Sequence, residues 1–189
     1  MEIAIGIIGI IVGLILAIIP YFKSKYYLRP ELTIEIVSNG GMSSPLGLSN
    51  NNDFPKGYVE ADTANYIFEL TWKFNVIITN NSDLTAFYPE IEFNPKGPKF
   101  TQIDKLNKLQ PIKPTESLTL KAEYRKFEET NGKNRTQIGQ APPTEFGDLG
   151  LLLGYENSKK RRFFTLFNYS LTDNKNKFLR DKPKDYKNN

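Results

Sequence analysis

The sequence predicts a mainly β chain, an antiparallel β-sandwich of about seven strands preceded by one N-terminal transmembrane α-helix. Three observations carry this reading. Residues Ile3 to Ile19 form an unbroken apolar run at the head of an otherwise polar chain. From Leu32 onward, apolar residues recur at every second position in several segments. Those segments are joined by stretches rich in Gly, Pro, Asn and Ser rather than by helical patterns.

A helix needs about 20 apolar residues to cross a hydrocarbon core of about 30 Å, and residues 3–22 supply them, with Tyr21 and Phe22 at interface depth. A cleavable signal peptide would want a basic start, a shorter apolar core and small residues at its end. Here only Glu2 follows Met1, and the run ends in bulky Ile18-Ile19-Pro20-Tyr21, so residues 1–22 read as a retained anchor. Lys23, Lys25 and Arg29 follow the span, and the positive-inside rule places the C-terminal domain on the cytoplasmic side. Gly6, Gly9, Gly13 and Ala17 fall at three- and four-residue spacings, a small-residue stripe suited to helix–helix packing with a second copy or a membrane-protein partner.

Residues 23–30 read as a basic, aromatic juxtamembrane stalk closed by Pro30, and residues 31–172 as the sandwich. Leu32, Ile34 and Ile36 open the first strand, and residues 39–62 read as a long polar loop. The clearest strand runs from Tyr66 to Thr79, with Tyr66, Phe68, Leu70, Trp72, Phe74, Val76 and Ile78 on one face and Trp72 in the core. Phe87, Ile91 and Phe93 follow, and Pro89 marks an edge strand or a bulge. Leu118, Leu120, Ala122 and Tyr124 form another strand, Lys126 to Phe146 a second long connection, and residues 149–155 and 163–171 a closing hairpin. Residues 173–189, rich in Lys and Asn, read as a disordered basic tail.

Asn80-Asn81-Ser82 followed by Ala86, Ile91 and Phe93, then Leu109-Gln110-Pro111-Ile112-Lys113-Pro114-Thr115-Glu116-Ser117-Leu118 ahead of a strand, resembles bacterial immunoglobulin-like domains of the CARDB type. The resemblance spans Tyr66 to Tyr124 and departs where Lys113-Pro114-Thr115 stands in place of the usual Gly. It implies an immunoglobulin-like sandwich that binds or spaces, with no catalytic residues to carry over.

Composition narrows the chemistry further. The chain has no His and no Cys, which removes the commonest acid–base, thiol, zinc and haem chemistries and any disulfide framework. Glu90 and Glu92 share a strand face, as a solvated face also would, and Ser158-Lys159 sits at a hairpin tip where adjacent side chains diverge. Neither pattern makes an active site; an enzyme is not expected, nor is a cofactor or a metal. The net charge of +4 is too small for a nucleic-acid face. Its surplus gathers in Lys159, Lys160, Arg161 and Arg162, a candidate contact for anionic lipid or phosphate, and in the tail. N-glycosylation triplets begin at Asn80, Asn134 and Asn168 and matter only in a glycosylating lumen.

The closing hairpin is apolar on both sides: Leu152, Phe164 and Leu166 oppose the core-facing set, which predicts a partner interface or burial beneath the 39–62 loop. Together these features predict a single-pass, membrane-anchored, non-catalytic interaction module, an accessory or scaffold subunit of a membrane complex. A membrane-localised sensor or effector that clusters through its Gly-rich helix, and an outward-facing adhesion or glycan-binding domain, are the alternatives.

Overall fold

The computed structural model describes residues 11–21, 28–50, 52, 61–134, 144–169 and 175–186. Residues 11–21 are helical. The rest is built on β1 (Leu32–Leu48), β2 (Asn65–Asn80), β3 (Phe87–Phe93), β4 (Gln102–Ile103), β5 (Ser117–Asn131), β6 (Gly150–Glu156), β7 (Arg162–Asn168) and β8 (Lys175–Leu179). All pairings are antiparallel, in two four-stranded sheets ordered β1-β2-β5-β4 and β3-β6-β7-β8. The β-sandwich expected from the period-two pattern is therefore present.

Alternation explains why the sheets close on one another. In β2, Phe68, Leu70, Trp72, Phe74, Val76 and Ile78 are buried, while Lys73 on the opposite face is exposed. They meet Leu151, Leu153, Tyr155, Phe163 and Phe167 of the second sheet in one core. Phe146 sits at its centre, fully buried, stacked on Phe74 at 4.8 Å and edge-on to Tyr169 at 5.1 Å. β1 joins the sheets: the Thr165 hydroxyl donates to the Leu32 carbonyl at 2.7 Å, and the Asn176 amide pairs with both the N–H and the carbonyl of Ile34 at 2.9 Å. β3 is an edge strand and is bulged, with Tyr88 at φ +52 ahead of Pro89 and a register shift between Phe87 and Glu90.

Several sequence expectations need correction. The connection expected from Lys126 begins later, because β5 runs on to Asn131 opposite β2. The polar stretch after Asn39 is not loop throughout, because β1 continues to Leu48 opposite β2. Its polar composition is accommodated by irregularities at Ser38/Gly41 and Pro45/Gly47, the first beside Gly40 at φ +90, where a side chain would be strained. The stalk is packed on the domain from Leu28: Pro30 is buried, and the Arg29 guanidinium lies 4.7 Å from the Phe178 ring. The tail expected to be disordered forms β8 and a 3₁₀ turn at Lys184–Tyr186. Its few apolar residues suffice because the face beneath them is apolar: Leu152 and Phe164 are buried against Tyr186, with Leu166 and Leu179 packed around them. Leu152 and Phe164, expected to face a partner or the 39–62 loop, are thus buried beneath the chain's own C-terminal segment.

Among the described residues no helix is long and apolar enough to cross a membrane. The described helix is the C-terminal part of the expected anchor; residues 1–10, with Gly6 and Gly9, lie outside the described residues. Gly13 and Ala17 are on it and exposed, and a Cβ added at Gly13 meets nothing within 4 Å.

Candidate functional site

The chain enters the sandwich at Leu28, and short-range polar chemistry gathers several connections around that point. The Asn157 amide donates to the Leu28 carbonyl at 2.7 Å, tying the stalk to the β6–β7 hairpin tip. Asn157 is 3% exposed, and its Oδ1 accepts the backbone N–H groups of Lys159 at 2.9 Å and Arg161 at 3.0 Å. An Asn folds a tip this way because its short amide reaches its own backbone two residues on. Lys160 takes φ +56 to complete the turn.

Of the four basic residues predicted here, two are committed to partners in the fold. Arg162 Nη2 donates to Glu90 Oε2 at 2.7 Å, and Arg161 Nη2 lies 3.5 Å from Asp181 Oδ1. Lys159 and Lys160 are exposed and have no ion pair among the described residues.

Glu90 links this tip to a second loop, because Lys108 Nζ donates to its other oxygen at 2.5 Å. Hydrogen bonds from Lys108 and Arg162 hold the Glu90 carboxyl below the usual glutamate range. Next to Lys108, Leu109 is the most exposed large apolar residue described, at 81%. Asn107 presents it: its Oδ1 accepts the Leu109 N–H at 3.0 Å, and its carbonyl accepts the Gln110 N–H at 3.1 Å.

The far side of this loop is fixed by Asn80, which is completely buried. Its Nδ2 donates to the carbonyls of Leu84 at 2.7 Å and Ile112 at 3.0 Å, and its Oδ1 accepts the Ser82 hydroxyl at 2.7 Å. Its backbone N–H donates to Glu116, its carbonyl accepts from Thr115, and Asn81 donates to Glu31 at the start of β1. Residues 28–31, 80–86, 107–116 and 157–162 thus share one end of the sandwich.

Elsewhere the surface mixes charged clefts with exposed apolar residues, Met42, Leu46, Leu48 and Tyr88 among them. A cleft of about 430 Å³ on the first sheet is lined by Asn39, Lys73, Asn75, Asp104, Lys121 and Glu123. The Asp104 carboxylate there accepts the Lys121 N–H at 2.9 Å. Glu92, paired in the sequence with Glu90, is bound to Lys182 at 2.7 Å. Among the described residues no group of acidic side chains is placed to hold a metal ion. Of the glycosylation triplets, Asn80 has no access to solvent, whereas Asn134 and Asn168 are exposed.

Sequence reasoning missed the two most exposed apolar residues described in the sandwich. Phe127, 63% exposed, continues the Thr119, Lys121, Glu123, Arg125 face of β5 and pairs across strands with Glu69. An aromatic residue on the polar phase of a strand was the available signal. Leu109, an apolar residue between Lys108 and Gln110 in a turn, was the other.

Comparison with known proteins finds no matching family model, no similar curated protein and no solved structure that matches.

Proposed function

We propose that this chain is a single-pass, membrane-anchored, non-catalytic interaction module whose sandwich serves as an accessory or scaffold subunit of a membrane protein complex. The observation that carries the reading is the helix at residues 11–21. Its apolar residues point in every direction and are exposed on all of them, from Val12 at 47% to Leu16 at 62%. A helix apolar all round is stable only in a protein core or a bilayer, and no described residue of the sandwich covers this one. Joined to residues 3–10, it reaches the length of a span. Lys23, Lys25 and Arg29 favour a cytoplasmic sandwich.

An immunoglobulin-like fold suits the module. The orders β1-β2-β5-β4 and β3-β6-β7 follow the A-B-E-D and C-F-G arrangement of that fold, with β8 added beside the last strand. The buried Trp lies on the second strand rather than the third, and no disulfide is present to pack against it. A non-catalytic role is supported by the absence of His and Cys and by the commitment of Glu90 and Glu92 to ion pairs. The small-residue face at Gly13 and Ala17 and the exposed Phe127, Met42, Leu46 and Leu48 are among the contact surfaces left open by the fold.

The test is purification of the full-length protein in mild detergent, after alkaline carbonate washing of the membranes. Retention in the washed membranes and a stoichiometric membrane-protein partner, lost on Gly13→Ile, are expected. Carbonate release sinks the anchor, and a homo-oligomer without a partner shifts the reading to a clustering effector. Modification of Lys121 by an impermeant reagent on intact cells would reverse the topology and favour adhesion.

A further inference from the structure

We infer that the Leu28 end of the sandwich docks on an anionic bilayer surface, with Leu109 in the headgroup layer and Lys113, Lys159 and Lys160 facing lipid phosphates. The inference rests on the membrane anchor proposed above and deepens it: the domain does not swing freely on its stalk but lies on the membrane through a built face.

An isolated exposed leucine is ordinary on a protein surface. Leu109 differs in how it is held and where. The Asn107 turn projects it, and the Lys108–Glu90–Arg162 bridge ties its loop to the hairpin tip. The same end receives the stalk, because Asn157 holds both the Leu28 carbonyl and the backbone that carries Lys159 and Lys160. The steps from Tyr21, the last described helical residue, to Leu28 reach at most about 25 Å, so an anchored helix keeps this end near the headgroups.

Charge agrees with the position. Arg161 and Arg162 are used to build the tip, which leaves the exposed Lys159 and Lys160 to meet an external anion. Lys113 is exposed on the neighbouring loop. Glu31, Asp83 and Glu116 share this end, and the Glu116 carboxylate accepts the Lys113 N–H at 2.7 Å, so attraction is strongest at the hairpin tip and Lys113 adds the smaller part. An apolar residue that enters the interface, flanked by lysines that reach phosphates, is the chemistry of a peripheral lipid contact.

The chain has no Cys, so Ser158→Cys introduces a single labelling site beside the lysines. Full-length protein labelled there with a fluorophore is reconstituted into phosphatidylcholine vesicles with or without a third of phosphatidylserine. Quenching by headgroup nitroxide lipids then reports proximity of the tip. Strong quenching is expected only with phosphatidylserine. Leu109→Asp abolishes it, and Lys159→Gln with Lys160→Gln lowers the docked-to-free ratio roughly thirtyfold. All three residues are exposed, and an unchanged unfolding midpoint confirms that the variants are folded. Weak quenching in both vesicle types, or quenching unmoved by both variants, overturns the docking while leaving the anchor intact. Protein that fails to float with carbonate-washed vesicles overturns the anchor reading and this one with it.

Discussion

Replacing Asn80 by Asp tests the junction that holds the Leu109 loop in place. The change is nearly isosteric, yet it turns an amide that donates to two carbonyls, at 2.7 Å and 3.0 Å, into an oxygen facing them. The site is completely buried, so both burial and the carbonyl dipoles raise the pKa of the new carboxyl. Keeping it protonated at pH 7 costs up to about 4 kcal/mol, from an unfolded pKa of about 3.9 at 1.36 kcal/mol per pH unit. A lost donor adds about 1 kcal/mol, giving roughly 5 kcal/mol in all. Asn80→Ala costs about 2–3 kcal/mol at any pH, because Leu84 and Ile112 each retain a second donor, Ser82 Oγ and the Ala86 N–H.

The sign of the pH dependence follows from the raised folded-state pKa. Whatever stability the protonated carboxyl retains is present below pH 3.9 and is lost as pH rises toward the folded value. Asn80→Asp is therefore worse than Asn80→Ala at pH 7 and milder at pH 4. Urea unfolding in mild detergent, followed by the fluorescence of the single, buried Trp72, measures both variants against wild type at each pH. At about 2 kcal/mol per M, the pH 7 midpoint of Asn80→Asp falls by about 2–2.5 M. An Asp variant no worse than Ala at pH 7, or one whose cost does not change with pH, refutes the assigned orientation of the amide.

Thr115→Gly should stabilise the protein by about 0.5–1 kcal/mol, since a β-branched residue at φ +60 is strained and the gain exceeds the entropy glycine adds to the unfolded chain; thermal unfolding of the pair measures it. Gly132→Ala should cost about 2–3 kcal/mol, because its Cβ would stand 1.9 Å from the Ala61 carbonyl oxygen, and urea midpoints check this. Burial, chiefly, with Asp185 and Glu92 nearby, pushes the Tyr186 phenol up to about 12. Its contribution is then whole below pH 10 and lost as pH rises from 10 toward 12, so the tail should release Leu152 and Phe164 over that window. Binding of a hydrophobic dye follows the release, and the difference in 295 nm absorbance between wild type and Tyr186→Phe isolates this phenol among the ten tyrosines; its ionisation at pH 10 without dye binding would contradict the packing.

The sequence by itself determined the face pattern of the central strands, though not the extent of β1 and β5 or the existence of β8. Period-two runs place Phe68 to Ile78 on one face whatever they pack against, since successive side chains of a strand alternate, and Pro89 marks the bulged edge because it has no N–H to give the ladder. Absence of His and Cys limited the chemistry in the same direct way. The site was less legible. Lys159 to Arg162 stood out as a charge run, but only the fold divides it into structural arginines and free lysines, because Glu90 and Asp181 come from distant segments. Leu109 carried no periodic signal, and its role depends on which loops share its end.

Tertiary structure alone decided what covers the second apolar face. Leu152, Phe164 and Leu166 announced that something must bury them, but hydrophobic burial is non-directional and names no partner. A tail whose composition reads as unfolded supplies Leu179 and Tyr186 at the right places, and that arrangement exists only once β7 offers β8 an edge to pair with.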